Sequence, residues 1–466
     1  MNTLNKIKEY FPSKKLNPLW ITLLFLILTA PVHAELIVLS YHEAHHKIDH
    51  DPDFNAMTLK TSELAAQFSW LKEHGYISIS IDDLLAAQKG IRALPDNAVL
   101  LSFDDGYQGM YTQVYPLLRA FDYQAVIALV GRWMETPYGK KVMYGSKPVA
   151  RKNFLTWSQI REMVKSGYVE VASHSYDLHH GVIANPQGNT QPTAISQRYD
   201  ANIGQYENEK HYRQRIYDDL KRNSDLIAQK VGQKPRVLVW PYGAYNRITI
   251  DIARKLGMPV TMSLEEGKVD IQNLGSVNRL LISHGVTLDD FVWQITNHYK
   301  PEIPPIRAAS LSLDDIYNSD VKQQEKNLGK FLEQVKKHHI NTVYLQAFSD
   351  PDGDNNANAV YFPNRHLPIR ADLFNRAAWQ LRTRTGSKVY AWIPPEAFNT
   401  KNITLSGDLY EDLAKHAHID GLVFYHDSDL SDDEHALVER ARLYRPMLKI
   451  AHQKTGITPM ITLENN

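Results

Sequence analysis

Cysteine is absent from this 466-residue sequence. That excludes disulfides, thiolate metal ligands, a cysteine nucleophile and a lipid anchor carried on cysteine. Net charge is missing too: 52 Lys and Arg balance 52 Asp and Glu. Such a chain has no basic footprint for nucleic acid, and no nucleic-acid partner is expected. Long apolar runs are scarce. The longest, Leu19 to Leu28, is short for a spanning helix. Lys6, Lys8, Lys14 and Lys15 precede it, and Val32-His33-Ala34 offers a small-residue cleavage site. This pattern predicts an export signal peptide over residues 1–34. Four lysines against Glu9 put +3 on that segment, so the remainder carries −3.

What is present is an ordinary globular composition, 43% hydrophobic and 22% charged, long enough for two or three domains. Short apolar runs alternate with helical periods. Strand patterns at Glu35–Ser40, Ala98–Leu101, Ala125–Val130, Tyr168–Ala172, 236–240 and 258–263 are separated by helices, which implies parallel βαβ units closed into a barrel. Thr156 and Gln159 form a capping box for one helix. Residues 181–214 are polar, without either period, and are expected to form an excursion over the site mouth. A proline-rich linker over 298–309 separates residues 35–297 from a second α/β unit at 310–466. That unit shows about four strands where a closed barrel has eight, predicting a partial barrel without hydrolase function.

Polar blocks punctuate the strand ends. Ala98-Val99-Leu100-Leu101 runs into Ser102-Phe103-Asp104-Asp105-Gly106. Adjacent carboxylates repel, so one is expected to gain a cation and leave the other free as a base. Downstream come Ser173-His174-Ser175-Tyr176-Asp177-Leu178-His179-His180 and Trp240-Pro241-Tyr242-Gly243, and Tyr41-His42 closes the first strand. In a barrel, carboxyl ends of strands are where active sites assemble. One carboxylate with two imidazoles would leave coordination positions open on a divalent ion. His179 and His180 compete for the second imidazole. His45 and His46 add a surface pair able to take adventitious metal.

These blocks resemble the polysaccharide deacetylases, metal-dependent carbohydrate esterases with a NodB-type domain. Within them the chain is most similar to the periplasmic poly-β-1,6-N-acetyl-D-glucosamine N-deacetylases of biofilm export. Thr342-Val343-Tyr344-Leu345-Gln346-Ala347-Phe348 and Asp350-Pro351-Asp352-Gly353-Asp354 belong to that likeness. The resemblance implies an N-terminal (β/α) deacetylase barrel followed by a partial TIM-like (β/α) domain. It implies a divalent transition metal on Asp105, His174 and His179, with zinc first and iron, cobalt or nickel sharing the donor preference. Asp104 would be the base, and the Tyr242 backbone N–H would meet the oxyanion. His42 would be the acid, with His284 as second candidate, and Trp240 and Pro241 would flank the substrate. Val239 and Trp240 stand where many relatives have an arginine, so the base is expected to lack that contact. Asp427 matches a catalytic position of the family's second domain, and Asp314 and Trp392 would line a sugar groove. The implied substrate is the β-1,6-linked N-acetylglucosamine polymer, the implied place the periplasm, and the implied partner an outer-membrane polysaccharide exporter. A deacetylase of chitin-like or peptidoglycan glycan, or a weakly catalytic glycan-binding scaffold, are the other readings.

Overall fold

The computed structural model describes residues 35–452, apart from 47–56, 298–303, 354–355, 358, 399–402 and 425–428. The predicted signal peptide, part of the linker and Asp427 therefore lie outside the described residues. The N-terminal half is built on a curled parallel sheet. Its strands are β1 (Glu35–Tyr41), β2 (Asn97–Phe103), β3 (Ala125–Leu129), β4 (Val169–Ser173), β5 (Val237–Val239), β6 (Val260–Met262) and β7 (Leu280–Leu281). Their order is β6-β5-β4-β3-β2-β1-β7, and the short strand Ile77–Ser78 also pairs with β2. Every pairing is parallel, as crossovers through helices require.

The strands bury both faces, which is why they lack a clean polar alternation. Ile37, Leu39, Val99, Leu101, Ile127 and Val171 pack on one face with Leu64, Phe68 and Leu71 of the helix Thr61–Glu73. Leu36, Val38, Ala98, Leu100, Val126, Ala128 and Ala172 fill the other. Register, more than burial, decides which side chains meet at the rim. Tyr41 pairs with Phe103, Phe103 with Ile127, and Leu129 with Ser173. The strands therefore end along one rim. The residues just past those ends are His42, Asp104 and Asp105, His174 and, after Val239, the Trp-Pro-Tyr-Gly block.

The second unit carries a five-stranded parallel sheet in chain order: β8 (Ala308–Leu311), β9 (Thr342–Gln346), β10 (Lys388–Trp392), β11 (Gly421–Phe424) and β12 (Lys449–His452). The fifth strand is one more than the sequence pattern suggests, because Lys449-Ile450-Ala451-His452 is too short and mixed to stand out.

Two helices tie the halves together. Helix α1 (Glu209–Val231) starts earlier than the apolar period shows, capped by the Asn208 side chain on the His211 N–H. Its Tyr212, Ile216 and Leu220 share an apolar cluster with Leu311, Leu313, Phe331 and Tyr444. Helix α2 (Phe374–Gln380) grips the polar stretch that comes after His179. Asn375 donates to the Ala184 carbonyl at 2.9 Å and accepts from Gln191 at 2.8 Å, and Trp379 donates to the Thr190 carbonyl at 3.1 Å. The stretch expected to form an excursion over the site mouth contains two small hairpins within residues 181–206. It lies beside Tyr242 through Pro192 and Ile195 and also makes these contacts with the second unit.

Candidate active site

Asp105, His174 and His179 converge. Their ligand atoms all lie within 4.8 Å of one another, and all three residues are buried. His174 Nε2 is 3.6 Å, and His179 Nε2 3.4 Å, from the same Asp105 oxygen. The turn after β2 allows this. Asp105 and Gly106 both take left-handed backbone angles, φ 74° and 71°. At Gly106 a Cβ would stand 2.7 Å from Leu129 Cδ2, so a side chain is excluded there.

The electrostatics of the three are unsettled by protein alone. No donor meets either Asp105 carboxylate oxygen in ordinary hydrogen-bond geometry, although the residue is fully buried, and the Tyr144 phenol offsets only part of its charge. Burial, then the neighbouring Asp104 charge, pushes the Asp105 carboxyl well above its usual range. Burial holds both imidazoles down, His179 further because His174 lies beside it. A buried acid offset by little more than the Tyr144 phenol, facing two imidazoles that resist protonation, fits a donor set short of one cation. One carboxylate and two histidines suit zinc and its neighbours. His174 is already oriented, its Nδ1 lying 2.7 Å from the Val239 carbonyl, which leaves Nε2 for the ion. The sequence left two histidines in competition. His179 joins the triad, whereas His180 Nδ1 meets the Gly181 carbonyl at 3.0 Å.

Asp104 is not left free, as charge repulsion alone suggested. Arg279 grips it with two parallel hydrogen bonds, Nη1 to Oδ1 at 2.8 Å and Nη2 to Oδ2 at 3.0 Å. Arg279 is 1% exposed and is itself fixed by the Ser263 carbonyl at 2.8 Å and Ser102 Oγ at 3.0 Å. Burial pushes the Asp104 carboxyl up, but Arg279, His174 and His42 outweigh it and hold it down to about 2. The expectation that the base lacks an arginine is thereby overturned. The cation arrives from just before β7, far along the chain. The sequence signal was slight: an arginine directly ahead of an apolar strand.

His42 is partly buried at the end of β1, beside Asp104, whose N–H donates to the Tyr41 carbonyl at 2.9 Å. Burial drives its imidazole down to about 4, against the pull of the Asp104 charge. His284 is exposed beyond β7. Tyr242 has φ 60° and ψ 13°, and its ring packs 4.6 Å from that of His179. Trp133 and Tyr144 complete an aromatic wall around the His179 ring, at 4.9 and 5.4 Å. Trp240 does not reach a substrate. It is fully buried, with Nε1 donating to Thr261 Oγ1 at 3.0 Å. Pro241 is buried as well, so the pair supports the Tyr242 turn from below.

At the matching rim of the second sheet, Asp314 lies just past β8. It accepts from Tyr361 Oη at 2.6 Å, Ser349 Oγ at 3.0 Å, the Asp350 N–H at 2.9 Å and Arg370 Nη1 at 2.5 Å. Trp392 ends β10, its ring 5.4 Å from that of Phe348.

Comparison with known proteins agrees with this division. The family model for polysaccharide deacetylase matches residues 92–261, and one described as hypothetical glycosyl hydrolase family 13 matches 310–406. The first window contains Asp104, Asp105, both histidines and Tyr242, while His42 and Arg279 flank it. The poly-β-1,6-N-acetyl-D-glucosamine N-deacetylase of Escherichia coli K12 is 39% identical over 445 residues, covering 89% of this chain. The chain spans 66% of that relative's length. A Staphylococcus aureus enzyme of the same name is 23% identical over 227 residues, 48% of this chain and 68% of its own. The solved de-N-acetylase from Aggregatibacter actinomycetemcomitans is 37% identical. Its match covers 55% of this chain and 98% of that one, at a TM-score of 0.52. Sequence, fold and rim geometry agree, and the chain belongs to the polysaccharide deacetylase family.

Proposed function

We propose that this chain removes N-acetyl groups from an exported β-1,6-linked N-acetylglucosamine polymer and releases acetate. The observation that carries this reading is the pairing of an open Asp105-His174-His179 donor set with a neighbouring Asp104 locked by Arg279. The likeness to deacetylases of that polymer supports the choice of substrate. Asp105, His174 and His179 would hold a divalent ion, zinc in the first instance. When bound, that ion would polarise the acetyl carbonyl and acidify water.

The rest is done by side chains. Asp104 takes the proton of the attacking water; Arg279 fixes its rotamer, and each carboxylate oxygen keeps a lone pair to accept it. The Tyr242 backbone N–H, on its left-handed turn, donates to the oxyanion as charge develops. His42 rests neutral because burial holds it down to about 4. It takes up a proton from solvent as negative charge builds beside it and passes that proton to the leaving amine. The proton held by Asp104 returns to solvent as acetate leaves. The aromatic wall around His179 excludes water from the acetyl methyl. Residues 1–34 would direct the chain to the periplasm. There the product polymer would pass to an outer-membrane exporter, with the second unit offering Trp392 and Asp427 to the glycan and Asp314 holding the loop beside them.

The test is acetate release from the β-1,6 polymer after chelation and zinc add-back. Activity should vanish on chelation and return with metal. Release from β-1,4-linked oligomers at an equal rate would overturn the linkage. His42→Ala should lose amide turnover while sparing an activated ester, whose leaving group needs no proton. If His284→Ala shows that split and His42→Ala does not, the roles exchange.

A further inference from the structure

We propose that Asp219, on helix α1, is the positioning residue that sets His179 at the metal. The inference rests on the metal site of the proposed function and concerns how one ligand is held. Ligating histidines are normally oriented through their second ring nitrogen. His174 has that anchor in the Val239 carbonyl. His179 has no such anchor on another element: its Nδ1 is buried, with no partner beyond its own backbone. The aromatic rings around it limit tilt, but apolar faces do not set how far the ring reaches towards Asp105. Its place must therefore come from its own backbone.

That backbone belongs to a short, unusual loop. Ser175 sits at φ 67°, a costly conformation for a residue with a Cβ. Its Oγ accepts from the Leu178 N–H at 3.1 Å, closing a small turn just before His179. Between the two ligands, two successive N–H groups point away from the sheet. Asp219 takes both: Tyr176 N–H donates to Oδ1 and Asp177 N–H to Oδ2, each at 2.8 Å. One turn on, Asn223 donates to Ser173 Oγ at 2.8 Å and the Leu129 carbonyl at 3.0 Å, pinning the strand end where the loop begins. The charged contacts of Asp177 with Arg132 and of Tyr176 with Glu135 and Arg222 hold side chains on the exposed side. The backbone is otherwise tethered by neutral pairs, Gly131 N–H to the Ser175 carbonyl and Arg132 N–H to the Tyr176 carbonyl. The two-point contact to a carboxylate is charge-assisted and stronger. A second ligand without its own anchor thus borrows one from α1.

Zinc affinity of the full chain, measured by competition with a chromophoric chelator, tests this. Asp219→Asn offers one acceptor and turns an N–H₂ towards the other amide. It should bind zinc at least about tenfold more weakly than the native chain. The metal-free melting temperature should move by a few degrees at most. Excess zinc should restore acetate release with KM unchanged, and Asp219→Glu, one methylene longer, should not rescue affinity. A lowered melting temperature with native zinc affinity would mark a merely structural residue and overturn the inference. Should Asp219→Asn fail to fold, amide exchange in the native metal-free chain decides. Slow exchange at Tyr176 and Asp177 is expected, and fast exchange contradicts it. If the native chain takes up no zinc, the metal reading itself falls. If native and variant take it up equally, only this inference does.

Discussion

Asp105 and Asp314 occupy equivalent places, each just past a strand end on the carboxyl rim of its own sheet, yet their surroundings are opposite. Asp105 is fully buried, and apart from the Tyr144 phenol no donor offsets its oxygens. Asp314 has a guanidinium, a phenol, a hydroxyl and a backbone N–H around it. A carboxylate kept short of donors, with two imidazoles aimed at it, is arranged for a ligand that the protein does not supply. A carboxylate surrounded by donors is arranged to hold a loop still. The difference separates a site open to an ion from a framework around a groove.

Removing the open carboxylate should have the largest effect. Asp105→Asn is expected to abolish metal uptake and deacetylation together. It should also raise the stability of the metal-free chain, by about 1–3 kcal/mol, because a buried acid offset by little more than the Tyr144 phenol no longer has to be accommodated. Chemical denaturation without metal measures this. Lower stability would mean that Asp105 has partners in solution.

Next is the cation beside it. Arg279→Met leaves Asp104 buried without its counter-charge, which should cost about 3–5 kcal/mol. Activity should fall even where the variant is folded. Arg279→Lys keeps the charge but not the paired geometry, and should recover stability better than turnover. Equal recovery of both would show that only charge matters at Asp104.

The closed carboxylate should behave differently. Asp314→Asn loses a charge-assisted contact to Arg370 and is expected to cost about 1–3 kcal/mol, with zinc affinity unchanged. A change in zinc binding would break the contrast between the two rims.

The smallest effect depends on pH. Burial pushes Asp372, which accepts from Tyr206 across the two units, up to about 6. An acid raised on folding favours the folded state while protonated and loses that contribution as pH rises through its folded pKa. The native chain should therefore gain on Asp372→Asn as pH falls from about 7 to 4, by at most about 3 kcal/mol. Urea titrations at the two pH values check it, and a constant difference would contradict it.

The rim was legible in sequence because each functional block comes directly after an apolar strand. The Thr156 capping box was equally readable, since both of its partners lie within one turn. Arg279 was not legible: it meets Asp104 across 175 residues, through strand order that no local pattern encodes. The start of α1 was hidden because Glu209 to Arg215 is polar on most faces, and its Tyr212 is buried by the second unit. Trp240 was expected to flank the substrate because it adjoins the Pro-Tyr-Gly block, and only packing distinguishes a core aromatic residue from one that faces a site.

The central claim is a division of labour between adjacent aspartates, one for the ion and one for the proton. Zinc stoichiometry and affinity of Asp104→Asn and Asp105→Asn, measured beside acetate release, test it most directly. Asp104→Asn should bind zinc as the native chain does while losing about 10²- to 10⁴-fold in turnover. Asp105→Asn should bind none. Equal loss of zinc in the two variants would contradict the account.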